Sequence, residues 1–288
     1  MGREFESVWR SVGGFDPRKL VEARLQLHWA AQPVMAFADC ALEHVPDDSQ
    51  SNLGWRDDFE AVVGRQRPDG LSAGLRIPDM ALLVFDREGA IAEEIFLEGQ
   101  TIDSAVSWLE ETVTTRTGDP PEHSIRIRGY EMPEHPVGSG AAFDMDRPVA
   151  YAELARWLAN GNLALNRLSS SDESWAEVRC WPHHFDVGTL ISLESSGDAS
   201  NGRSIGVGMS LGDTWYPEPY FYVNPYGLAD LPSDRPSLES GGEWHVEGWF
   251  GAVLTATSIV EQLGGSQEAA VLSFLRGAVD AVRNLLSA

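Results

Sequence analysis

Two short motifs occur twice in this chain, in the same order, and that repetition constrains the fold more than any single residue does. Trp55-Arg56-Asp57-Asp58-Phe59-Glu60 matches Trp181-Pro182-His183-His184-Phe185-Asp186. Ala73-Gly74-Leu75-Arg76-Ile77-Pro78-Asp79 matches Val207-Gly208-Met209-Ser210-Leu211-Gly212-Asp213. Chance similarity of short motifs is the alternative, and the shared element order around them argues against it. Each copy reads as a helix, a four-strand antiparallel meander and a helix. The expected fold is therefore α+β, duplicated and pseudo-symmetric, with helices packed on antiparallel sheet. Residues 1–135 form the first repeat unit and 136–288 the second, in one compact body.

Local signals place the elements. Asp16-Pro17 opens a helix through Leu42, whose apolar face includes Leu20, Ala23, Leu27, Ala30, Val34 and Ala38. Pro33 is expected to kink or split it. Strands follow at Trp55–Gly64, Leu71–Ile77, Met80–Asp86 and Ile91–Glu98, separated by Asp-Gly, Pro-Asp and Glu-Gly turns. Thr101 caps a helix to Val113. Thr117–Asp146 is a connector with one short strand, Ser124–Arg128. The second copy gives a helix at Tyr151–Leu168 and a polar loop at Ser169–Glu173. Its strands fall at Trp175–Leu193, Ser204–Leu211, Tyr220–Val223 and Glu243–Trp249, followed by helices at Ala252–Leu263 and Ser266–Leu286.

The charge excludes one class of partner. The chain has 44 Asp and Glu against 21 Lys and Arg, a formal net charge of -23. Such a surface repels phosphate backbones, so no nucleic-acid partner is expected. A single lysine, Lys19, fits either an acidic halophilic surface or a codon bias toward Arg. No stretch approaches the roughly 20 apolar residues of a membrane span, and Met1–Glu6 has no apolar signal core. A cytoplasmic protein with no membrane partner is the expectation. Cys40 and Cys180 have no zinc-type spacing and read as small hydrophobes. Nothing in the pattern sets an oligomeric state.

The second copy concentrates the chemistry. If His183 and His184 lie in a strand, alternation puts His183 on the apolar face with Trp181 and Phe185. His184 then shares the polar face with Asp186. That His–carboxylate pair is the candidate catalytic pair, with His184 as general base. His245 and Glu247 form a second pair at the same spacing. Convergence of His184, Asp186 and His245 would supply a divalent-metal site, and a metal is the one cofactor the pattern suggests. Glu218, Tyr220, Tyr222, Trp244 and Trp249 are candidate ligand-binding residues in an aromatic, proline-rich stretch. The rival readings are a surface ion pair for the His–acid spacing and a thick aromatic core for the rings. Gly138-Ser139-Gly140 lacks a nucleophile-elbow setting, and Gly206-x-Gly208 lies inside a strand, so neither a hydrolase serine nor a dinucleotide loop is indicated.

The Trp-Pro-His-His-Phe-Asp run at 181–186, Gly208-Met209-Ser210-Leu211-Gly212-Asp213, Pro217-Glu218-Pro219-Tyr220-Phe221-Tyr222-Val223 and Trp244-His245-Val246-Glu247-Gly248-Trp249 together resemble a group of bacterial proteins with no assigned activity. The resemblance covers mainly residues 175–260. It implies that these segments act together and adds no mechanism. The expected function is small-molecule binding, or hydrolytic or transfer chemistry, at a His, carboxylate and aromatic pocket of the second copy. The alternative is a non-catalytic scaffold whose duplicated sheets present a partner surface.

Overall fold

The structure is a computed structural model that describes residues 8–170, 174–193, 202–228, 232, 234–261 and 266–287. The expectations for Met1–Glu6, for the loop at 171–173 and for a helix end at 262–263 lie outside these residues. The chain is α+β, with two antiparallel sheets and five helices among the described residues. Its contacts divide it into two units. The first holds Leu20–Ala155 and Arg179–Phe185. The second holds the described residues within Met1–Lys19, Arg156–Val178 and Asp186–Ala288. Among the described residues no helix is long and apolar enough to cross a membrane.

In the first unit, helix α1 spans Val21–Asp39. Strands β1 (Gly54–Arg56), β2 (Ala61–Val63), β3 (Ser72–Arg76), β4 (Ala81–Phe85) and β5 (Ile91–Phe96) form a meander in that order. Helix α2, Ile102–Thr117, opens with a capping box in which Thr101 and Ser104 exchange side-chain and backbone bonds. Asp16 bonds the Arg18 amide at a single 3-10 turn, Pro17–Lys19, and the α-helix begins only at Val21. It then runs through Pro33 as one element, buried along most of its length against β3 and α2. That burial outweighs the ~3 kcal/mol penalty of an interior proline. No strand forms at Ser124–Arg128; Arg128 is instead held by side chains, donating to Asp39 at 2.6 and 2.5 Å and to Asp48 at 2.5 Å.

Helix α3, Pro148–Ser169, starts in the first unit and enters the second at Arg156. Strand β6, Arg179–Trp181, belongs to the first unit, where Cys180 and Leu53 exchange backbone hydrogen bonds at 2.8 and 2.9 Å. The second unit has β7 (Asp186–Ser192), β8 (Ser204–Ser210), β9 (Tyr220–Tyr226), β10 (Glu243–His245) and β11 (Gly251–Thr255). Within this unit they run β10-β11-β9-β8-β7, all antiparallel. Helices α4 (Ala256–Val260) and α5 (Gln267–Ser287) follow. One face of the sheet carries Ile205, Val207, Met209, Phe221 and Val223, all buried. Helix α5 covers it with Val271, Phe274, Leu275 and Val282.

Three expectations fail here for local reasons. The predicted strand Trp55–Gly64 is split into β1 and β2 by a turn at 57–60. The predicted strand through Trp175–Leu193 is interrupted at 182–185 by a turn, so strand alternation does not apply to His183 and His184. Pro182 has no N–H to give a ladder, and Phe185 adopts the left-handed region at φ 53. The predicted helix at Ala252–Leu263 is strand β11 up to Thr255. Thr255 then caps the five-residue α4 through the Ser258 amide.

The two sheets share strand order and register. β2-β3-β4-β5 corresponds to β7-β8-β9-β11, with β10 an added edge strand. Ala61 pairs with Arg76 as Asp186 pairs with Ser210, and Gly74 pairs with Leu83 as Gly208 pairs with Tyr222. Leu97 donates to the Met80 carbonyl at 3.0 Å, and Ala256 donates to the Pro219 carbonyl at 2.7 Å in the corresponding place. The loops at 57–60 and 182–185 are also alike. Each ends on a left-handed residue, Glu60 at φ 49 and Phe185 at φ 53. The carbonyls of Arg56 and Trp181 accept from the third residue on. This aligns Arg56 with Trp181, one residue away from the motif match of Trp55 with Trp181. The backbone turn, rather than the aromatic letter, sets the correspondence.

Candidate functional site

The face of the second sheet opposite α5 is where its polar and aromatic residues gather. Register puts Asp186 and Gly188 of β7, Gly208 of β8, and Tyr220 and Tyr222 of β9 on that face, with His245 of β10 at its edge. Gly208 and Tyr222 are direct partners across the β8–β9 ladder. Tyr222 leans over Gly208, so a Cβ there would sit 2.3 Å from the hydroxyl and 2.4 Å from Cζ. The hydroxyl also lies over Gly188, 3.1 Å from where its Cβ would be. Two glycines on neighbouring strands thus make room for one ring. The ring spans β8 and donates its proton to Asp186 Oδ2 at 2.5 Å. Asp186 is only 8% exposed. Burial first, and the Asp186 charge second, hold the Tyr222 phenol well above its ordinary pKa.

A second tyrosine–carboxylate pair lies beside the first. Tyr220 donates to Asp213 Oδ2 at 2.7 Å. The other oxygen of Asp213 accepts from the Trp215 and Tyr216 amides at 2.7 and 2.8 Å, an Asx turn that fixes the loop after β8. Tyr216 in turn meets His245 Nδ1 at 3.0 Å, while His245 Nε2 meets the Glu247 carbonyl at 2.6 Å. A carbonyl only accepts, so Nε2 carries a proton, and in the neutral ring Nδ1 then accepts from the Tyr216 hydroxyl. His245 stacks on Trp249 with centroids 4.4 Å apart, and Trp215 meets its edge at 5.2 Å. Trp215 is 44% exposed. Burial raises the Tyr216 and Tyr220 phenols, so all three hydroxyls stay protonated and all three protons are used internally.

Not every expected residue joins this face. Glu218 is turned to α4, where one carboxylate oxygen accepts from both the amide and the hydroxyl of Thr257 at 2.6 Å. Trp244 points to the opposite side of β10 and stacks on Phe250. The His245–Glu247 relation runs through the backbone carbonyl of Glu247, because β10 ends at His245 and Gly248 turns the chain at φ 79. His184 is exposed in the loop of the first unit, its ring 4.3 Å from that of His183. His183 is half-buried against Tyr130 and Trp181, and burial lowers its pKa to about 4. Among the described residues no group of three or more His, Cys, Asp or Glu side chains is arranged to hold a metal ion. Sequence reasoning missed Asp213 as a site residue. The Gly-Asp-Thr-Trp turn signal around it was the clue.

The first sheet has apolar residues at the corresponding places. Ala61 stands where the second sheet has Asp186, and Leu83 where it has Tyr222, while Gly74 and Gly208 are the same. Ala61, Ala81, Leu83 and Phe85 there form a buried apolar cluster. Comparison with protein-family models, curated proteins and solved structures finds no match to the chain.

Proposed function

We propose that the chain arose by duplication and that its second sheet became a small-ligand site. The observation that carries this reading is the Tyr222–Asp186 pair laid over Gly208, set where the first sheet keeps Leu83, Ala61 and Gly74. A buried carboxylate is costly unless hydrogen-bonded. The first sheet shows that an apolar filling of the same register suffices for folding. The polar set therefore calls for a purpose beyond stability.

The chemistry of the face suggests its ligand. The phenol protons of Tyr216, Tyr220 and Tyr222 are spent on His245, Asp213 and Asp186. What remains to offer is the half-buried Tyr216 oxygen, the exposed indole of Trp215 and the half-buried Trp249 beside it. Such a surface accepts hydrogen bonds and stacks, which suits a ring-shaped ligand rich in hydroxyl or N–H donors, such as a sugar or a nucleoside. With every phenol held neutral, the reading is recognition rather than proton transfer.

The test is calorimetry and tryptophan fluorescence with a panel of hexoses, disaccharides and nucleosides. At least one class should bind, and Asp213→Asn and Trp249→Ala should each weaken it by tenfold or more. A panel with no binder, or binding indifferent to both variants, would overturn the reading.

A further inference from the structure

The first unit holds a cavity of about 500 Å³ that the aromatic face does not involve. Cys40, the C-cap of α1, lines it together with Leu42. Val113 and Thr117 from the last turn of α2, and Pro120 and Pro121 beyond it, complete an apolar floor. Two helices therefore end at one concavity, and each end carries carbonyls with partial negative charge.

The α1 end is already served by an internal cation. Arg67 is buried, donates to the Phe37 carbonyl at 3.0 Å and lies 4.5 Å over the Phe37 ring. Its charge is matched by Asp69 at 3.0 Å. The α2 end is served differently. Arg116 in its last turn reaches instead to Glu93 and the Ala92 carbonyl. The lining also carries Asp119, Glu122 and His123 on the segment after α2, and Glu43 on the segment after α1. Among the described residues, none makes an ion pair with these three carboxylates. The Cys40 thiol is held above its ordinary pKa by burial, so it adds to the floor and not to the charge.

We propose that this cavity binds a small organic cation, an amine or guanidinium on a short aliphatic body. The cation would take at α2 the place that the Arg67 guanidinium takes at α1, between helix-end carbonyls and the Asp119 and Glu122 carboxylates. The body would lie on Leu42, Val113 and the two prolines. Arg67 does not recruit an anion there, because its charge is matched by Asp69.

Calorimetry with agmatine and putrescine at 150 mM NaCl tests this. Agmatine or putrescine should bind the native chain with one site, and the D119N/E122Q double variant should lose tenfold or more. The D103N/E111Q variant removes the same charge from exposed positions of α2 outside the cavity, and it should bind as the native chain does. All four positions are exposed, so both double variants should keep the fold, which their melting curves check. No binding to the native chain, or equal weakening in both double variants, would overturn the proposal, as would calcium binding the site while neither amine does.

Discussion

Tyr222 crosses one strand to reach Asp186 on the next, and it does so over a glycine with no side chain to block it. The 2.5 Å hydrogen bond and the missing Cβ of Gly208 are two halves of one arrangement. Gly208→Ala forces the ring off its seat, because the new methyl would stand 2.3 Å from the hydroxyl. The expected cost is about 1–3 kcal/mol, the usual range for overpacking. Gly188→Ala, at 3.1 Å from the same atom, should cost clearly less. Urea denaturation of the two variants checks the order, and a larger loss for Gly188→Ala would be inconsistent with the geometry.

Removing the phenol oxygen separates packing from hydrogen bonding. Tyr222→Phe keeps the ring over Gly208 and takes away the donor that faces the buried Asp186 carboxylate. A loss of about 1–3 kcal/mol is expected, the cost of a buried polar group that loses one hydrogen-bond donor. A Tyr222→Phe chain as stable as the native one would show that Asp186 does not depend on that bond.

Acid should loosen the first unit through His28. Its Nε2 meets the Pro182 carbonyl at 3.0 Å and its ring stacks on Phe185 at 5.5 Å. Burial lowers its pKa from 6.5 to about 4. A depressed folded pKa means stability that is fully present above 6.5 and is lost as pH falls toward 4, since the unfolded chain takes up the proton first. The gap corresponds to an effect on the order of 3 kcal/mol. Melting curves from pH 7.5 to 4 should fall more steeply for the native chain than for His28→Gln. Parallel curves would remove His28 from the account.

Salt offers a test of the charge. A net charge of -23 repels itself, and screening grows with ionic strength. The melting temperature should rise from low to molar KCl. A flat or falling curve would show that the carboxylates are compensated locally, as Asp69 is by Arg67.

Much of the fold could be read from pattern because the elements are amphipathic or bounded by turns. The helices α2, α3 and α5 and the strands β3, β4 and β5 fall within a few residues of the spans their periodicity predicts. β11 could not be told from a helix, since Gly251-Ala252-Val253-Leu254-Thr255 is a short apolar run that fits either period. The turn at 182–185 carries no glycine or asparagine, and Phe185 adopts a left-handed conformation that its residue type disfavours. The candidate site was legible as composition but not as geometry. Tyr222 and Asp186 are 36 residues apart, and only the register of two ladders brings them together. Glu218 looked like a ligand group and is a helix clasp, because its partner Thr257 lies beyond a strand that the pattern read as helix.

The ligand is proposed to sit on the aromatic face of the second sheet. Nuclear magnetic resonance of the ten tryptophan indole N–H groups tests it most directly, during titration with the tightest binder of the sugar and nucleoside panel. Trp215 and Trp249 should shift progressively while Trp29 and Trp108 of the first unit stay in place. Shifts confined to Trp29 or Trp108, or a titration that leaves all ten unmoved, would overturn that placement.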